Sequence, residues 1–107
     1  MSWILLVLAL QGRYYWPMSV DQLAAGTAHP HVQVTGRVAL VRHEADGDTH
    51  IKLVGRTSFI VAECIPSLPC RLPLVGSRIV AKGIPRYDGE HKWWELHPLE
   101  EWTMAQP

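Results

Sequence analysis

The sequence predicts a single, mainly β domain: a small curled sheet of five strands with one short helix ahead of it. Three observations carry this expectation. The chain has 107 residues, with 48% hydrophobic and 19% charged. That is enough for one buried core and no second domain. From Val32 onward the apolar residues recur at every second position, the period of a half-buried strand. Asp-Gly, Gly-Arg-Thr and a proline-rich run punctuate these stretches at short intervals, as turns and crossovers do.

In chain order, "MSWILLVLAL" opens with an apolar run, Trp3 to Leu10. It is too short for a bilayer-spanning helix, which needs about 20 residues. No basic residue precedes it and "LALQG" is a poor cleavage site, so it fits a secretory signal badly. It reads as a docked terminal segment, with a degenerate export signal or an upstream extension as alternatives. "GRYYWP", Gly12 to Pro17, reads as a linker or turn. This divides the chain into residues 1–17, the apolar segment, and 18–107, the barrel. "SVDQLAAG" is a short helix, capped by Ser19 or Asp21, with Leu23 and Ala24 inward and Gly26 ending it. "VQVTGRVAL" is the first strand, with Val32, Val34, Val38 and Leu40 inward and Gly36 marking a bend or bulge. "THIKLV" is the second, with Ile51 and Leu53 inward and His50 and Lys52 outward. "SFIVAECI" is the third. "PSLPCRLPLVG" has three prolines and crosses over without regular structure. "SRIVAKGIPRY" is the fourth strand, interrupted by Gly83 and Pro85. "WWELHPLEEW" is the fifth, ending near Pro98 and continuing irregularly.

A meander, a crossover and a closing hairpin give the count and order of a five-stranded Greek-key barrel, the OB-fold, with a small SH3-like barrel as the rival. The stretches "VTG-V", "DGD-H", "AE-P" and "E-HP" resemble those of small uncharacterised bacterial OB-fold proteins, described as nucleic-acid-binding-like. The resemblance covers residues 18 to 102. It implies an OB-fold and no particular activity. "PSLPCRLP" stands where many OB-folds insert a helix between strands three and four.

Ten Lys and Arg balance ten Asp and Glu. That argues against strong non-specific nucleic-acid binding, which depends on neutralising phosphates, although a local basic face is compatible with it. Cys64 and Cys70 can form a disulfide if the loop between them doubles back. In a reducing cytosol, the expected location, they are small apolar residues. Two cysteines do not make a zinc knuckle.

Three groups of residues are candidates for chemistry. Glu44, Asp46 and Asp48 with His43 and His50 surround an Asp-Gly turn. They lack the glutamate that closes a calcium loop, and read as a solvated barrel corner. His50, Glu63, Glu95 and His97 have the side chains for zinc, but nothing local puts them on one side of the barrel. A cross-strand pair of Glu95 with Lys or Arg is the simpler expectation, with His97 bonded to a backbone carbonyl. The aromatics are the stronger signal. There are five Trp, and alternation sends Trp94 inward and Trp93 outward. OB-folds bind ligands over strands two and three, between the loops joining strands one and two and strands four and five.

The expected function is therefore a non-enzymatic binding module. It would contact single-stranded DNA or RNA weakly through Arg37, His50, Lys52, Tyr87, Lys92 and Trp93. It would use no metal and no cofactor and have no membrane span. The alternative is a protein-interaction domain or homodimer that uses the apolar N-terminal segment.

Overall fold

The computed structural model describes residues 13–106. The apolar N-terminal run lies outside these residues. Six strands and one short helix follow in order: β1 Trp16–Ser19, α1 Val20–Ala24, β2 Val32–His43, β3 Thr49–Val54, β4 Phe59–Cys64, β5 Arg78–Asp88 and β6 Trp93–Met104. The sheet order is β1-β2-β3-β4-β6-β5, and β2 also pairs with β5. Strands β2 to β6 therefore close into a barrel. The parallel pairing of β4 with β6 places the last strand between β4 and β5. This is the predicted OB-like barrel, and β1 is an extra strand on its side.

The core follows from alternation. Val32, Val34 and Val38 on β2, Ile51 and Leu53 on β3, and Ile60 and Ala62 on β4 are all inaccessible to solvent, as are Ile79, Ala81, Leu96 and Leu99. Val20 and Leu23 of α1 join them. The helix starts at Ser19, whose Oγ accepts from the Gln22 N–H at 3.0 Å, while Gln22 Oε1 accepts from the Ser19 N–H at 2.8 Å. This reciprocal cap satisfies two backbone donors. Asp21 is not the cap. Its carboxylate accepts from the N–H of Ser58 at 3.0 Å and of Thr57 at 3.3 Å, clamping the helix to the β3–β4 turn.

Three expectations are corrected. "GRYYWP" is not only a linker, because Trp16 and Pro17 belong to β1 and pair in parallel with Val32 and Gln33 of β2. A short edge strand tolerates a proline, which hides it from a pattern search. Leu40 points outward and is 46% exposed. The β2–β3 register shifts between Val38 and Leu40, so a bulge reverses the alternation there rather than at Gly36. Finally, the fifth strand does not stop at Pro98. The β5–β6 register skips between Gly83 and Pro85, where Leu96 pairs with Pro85 and Leu99 with Gly83. Pro98 thus falls in an irregular step where its missing N–H costs no ladder bond. A Cβ on Gly83 would lie 2.5 Å from the Pro98 carbonyl oxygen, so only glycine allows this approach.

In the crossover, Cys64 and Cys70 are paired in a disulfide, with Cα atoms 5.9 Å apart. Arg71 anchors the same segment. Its guanidinium donates to the Trp102 carbonyl at 2.9 Å, and the Trp102 indole donates back to the Arg71 carbonyl at 2.8 Å. Among the described residues, no helix is long and apolar enough to cross a membrane.

Candidate binding face

Period-two alternation gives the barrel an outer face as well as a core. On β3, His50 and Lys52 point outward. On β4, Phe59, Val61 and Glu63 do so, and on β6, Trp93, Glu95 and His97. The register fixes their neighbours: His50 lies opposite Glu63, Lys52 opposite Val61, Val61 opposite Glu95, and Glu95 opposite Arg86 of β5. This face lies between the Glu44–Asp48 turn and the Gly89–Lys92 turn, where an OB-fold takes its ligand.

Two carboxyl groups sit at its centre. Glu95 is fully buried although it points away from the core. The Arg86 guanidinium donates to Glu95 Oε1, with Nε at 2.9 Å, and the Trp93 indole N–H donates to Oε2 at 3.0 Å. Glu63 is 4% exposed. Its Oε1 is 2.6 Å from His50 Nε2. Its Oε2 is buried without a hydrogen-bond partner among the described residues, 3.8 Å from both Arg86 and His97 Nε2. Burial pushes the Glu63 carboxyl up to about 8, and the neighbouring Glu95 pushes the same way while Arg86 opposes. Two adjacent buried carboxyls cannot both ionise cheaply.

Around this centre lies an acidic cleft of about 510 Å³, lined by Glu44, Asp48, His50, Glu63, Asp88 and His97, among others. The turn residues build its walls. Asp46 accepts from the Asp48 N–H at 2.9 Å, and Gly47 takes a φ of 96° that favours glycine. Glu44 Oε1 accepts from Arg42 Nε at 2.8 Å and lies 3.3 Å from His50 Nδ1. His43 Nδ1 faces the Thr49 hydroxyl at 2.9 Å. Among the described residues, no three His, Cys, Asp or Glu are arranged to hold a metal ion.

Beside the cleft runs an aromatic strip. Trp93 stacks on His91, with ring centroids 4.4 Å apart and planes within 5°, and Phe59 meets Trp93 edge-on at 5.9 Å. The Lys52 ammonium lies 4.4 Å from the Phe59 centroid. His91 is fixed by Asp88 at 2.7 Å, and its pKa is raised by that hydrogen bond and by the charges of Asp88, Glu90 and Glu95, against some desolvation. Two shallow cavities flank Trp93. One, of about 190 Å³, is lined by Leu40, Arg42, His50, Lys52, Phe59 and Val61. The other, of about 330 Å³, includes Tyr87, Lys92 and Trp94.

The residues predicted for binding therefore divide. His50, Lys52, Tyr87, Lys92 and Trp93 gather around this strip. Arg37 does not. It pairs with Val54 and Arg78 and lines a different cavity. His50, Glu63, Glu95 and His97, which no local pattern places on one side, come together because β3 runs antiparallel and β6 parallel to β4. Glu95 takes the expected arginine partner, Arg86, and His97 faces Glu63 rather than a carbonyl. Trp93 points outward as expected but is only partly exposed, and its N–H is committed to Glu95. Sequence reasoning missed Arg86 and Phe59, and it placed His91 in the loop between the last two strands without counting it among the binding residues. The signal for Phe59 and Arg86 was parity with Val61 and with Asp88 on their own strands.

No family model matches this chain, and no curated protein does. Among solved structures it is similar to a protein from Leishmania major Friedlin described as an aspartyl-tRNA synthetase. The TM-score is 0.64 with 12% sequence identity, over 88% of this chain and 22% of that one. At that identity the likeness shows the fold. The chain spans about a fifth of the synthetase's length.

Proposed function

We propose that the chain is a non-enzymatic binding module that takes a short stretch of single-stranded DNA or RNA across the β3–β4–β6 face. One observation carries the reading: Trp93, braced by His91 and Phe59, forms an aromatic platform with Lys52 and Lys92 beside it. Bases stack on such platforms for roughly 1–3 kcal/mol each, with little sequence preference. The acidic cleft next to it repels phosphates and limits the path to a few nucleotides. A structural neighbour named for its action on tRNA supports the reading. The test is fluorescence anisotropy with labelled oligo-dT and a random RNA at low and physiological salt. Saturable binding is expected to weaken roughly tenfold in Trp93→Ala. With two lysines at the strip, its salt slope is expected to be shallow, about −0.7 per phosphate neutralised. Absence of binding at low salt removes the reading and leaves a protein partner as the alternative.

A second reading rests on the His50–Glu63–His97 convergence. A buried, perturbed carboxyl opening onto a cleft is a common feature of acid–base sites. It predicts slow cleavage of a quenched fluorescent oligonucleotide that is lost in Glu63→Gln. An equal rate in wild type and variant rejects it.

A further inference from the structure

The chain has seven arginines, and they sort into two groups. Four have partners: Arg13 with Glu100, Arg42 with Glu44, Arg86 with Glu95, and Arg71 with the Trp102 carbonyl. The other three are Arg37, Arg56 and Arg78. Among the described residues, none of these three side chains makes a hydrogen bond or ion pair with another. All three line one cavity of about 480 Å³, between α1, β2, the β3–β4 turn and the start of β5. It shares no lining residue with the acidic cleft or with the two cavities beside Trp93.

Arg37 and Arg78 are directly opposite each other on β2 and β5. Like charges at such a cross-strand pair destabilise a sheet. Arg56 sits on the tight turn where Gly55 N–H donates to the Ser58 carbonyl at 2.9 Å. Asp21 is the one acid lining the cavity, and it is already committed. Desolvation pushes its pKa up, but hydrogen bonds from the backbone N–H groups of Thr57, Ser58 and Arg56 outweigh that and hold it below the ordinary value. Glycine at two positions lets the walls close in. A Cβ on Gly36 would lie 2.6 Å from Val20 Cγ2, and one on Gly55 would lie 2.5 Å from Asp21 Oδ1.

We infer that Arg37, Arg56 and Arg78 form an anion site for a phosphate group, separate from the aromatic strip. Three guanidiniums against one carboxylate leave two net positive charges. A phosphate monoester carries −1.5 to −2 at neutral pH and offers three acceptor oxygens. The planar guanidinium fork matches those oxygens in pairs, as a compact ammonium does not. The volume suits a small phosphorylated molecule or the phosphorylated end of a strand.

The test is a two-dimensional amide NMR titration of the full chain with inorganic phosphate and pyrophosphate, against sodium chloride at equal ionic strength. Saturable shifts are expected at the Gly36, Arg37, Gly55, Arg56 and Arg78 amides with phosphate and not with chloride. Arg37→Gln and Arg78→Gln should each weaken binding at least tenfold. Arg13→Gln, which removes a paired surface arginine, should leave it unchanged. Shifts that follow ionic strength alone, or that persist in Arg78→Gln, overturn the inference. Oligo-dT with a 5′-phosphate or a 5′-hydroxyl then separates the sources. A phosphate-dependent gain in affinity that Arg78→Gln abolishes assigns a strand end. Saturation by free phosphate with no difference between the oligonucleotides assigns a free phosphorylated molecule. Trp93→Ala should not alter the phosphate titration, so the site and the stacking strip fail or stand independently.

Discussion

Glu63 and Glu95 are buried on an outer face beneath two turns, with Arg86, Trp93 and His50 arranged around them. Arg37, Arg56 and Arg78 surround an open cavity, with no ion-pair partner among the described residues. Both places concentrate charge of one sign, and the barrel treats them differently. At the first, the carboxyls are drawn out of water, so they must be matched by donors or by a proton. At the second, the guanidiniums stay solvated, so repulsion between them is screened and can be tolerated. The first arrangement ties charge to the integrity of the fold. The second leaves charge available to a ligand.

Mutations that break this contrast should have effects of very different size. The largest is expected at Glu95. Glu95→Ala strips the buried partner from Arg86 and Trp93, and urea denaturation should show a loss of about 3 kcal/mol. The pH dependence of stability comes next. The Glu63 carboxyl, at about 8 in the folded chain against an ordinary 4.5, holds a proton that the unfolded chain releases. Its contribution is complete below about 4.5 and is lost as the pH rises toward 8. His50, His97, Arg86, Glu95 and Asp48 also face this carboxyl. The informative quantity is therefore the difference between wild type and Glu63→Gln. Melting temperatures across pH 4 to 9 should fall more steeply in wild type. Parallel curves would mean that Glu63 holds no extra proton in the folded chain. Ser19→Ala, which removes the helix cap beside the arginine cavity, should cost about 1 kcal/mol by urea denaturation. The smallest effect is expected at Arg37. Arg37→Gln should leave stability unchanged or raise it by up to about 0.5 kcal/mol, because it relieves a like-charge cross-strand pair. A clear destabilisation there would mean that the arginine has a structural partner.

Much of the barrel is legible in the sequence. β3 has the predicted bounds, Thr49–Val54, and its inward and outward residues alternate as expected. The Asp-Gly turn and the short helix capped by Ser19 are where turn and cap chemistry place them. The errors fall where a tertiary partner overrides a local pattern. Leu40 belongs to an apolar period, yet the bulge on β2 turns it outward. Trp16 and Pro17 look like a linker, yet they pair with β2. The candidate site was legible only in pieces. Trp93, Lys52 and His50 carry an outward parity that alternation shows. Arg37 carries the same parity but lines a different cavity.

The sequence by itself determined where the five barrel strands and their tight turns fall and, away from the β2 bulge, which side of each strand meets the core. These depend on backbone conformation and on apolar spacing over a few residues. Tertiary structure alone decided which outward residues meet. His50, Glu63 and Glu95 become neighbours through the β3–β4 and β4–β6 registers, and Arg37 meets Arg78 through barrel closure. Pairing register between distant segments is set by the packing of the whole core. No window of the sequence contains it.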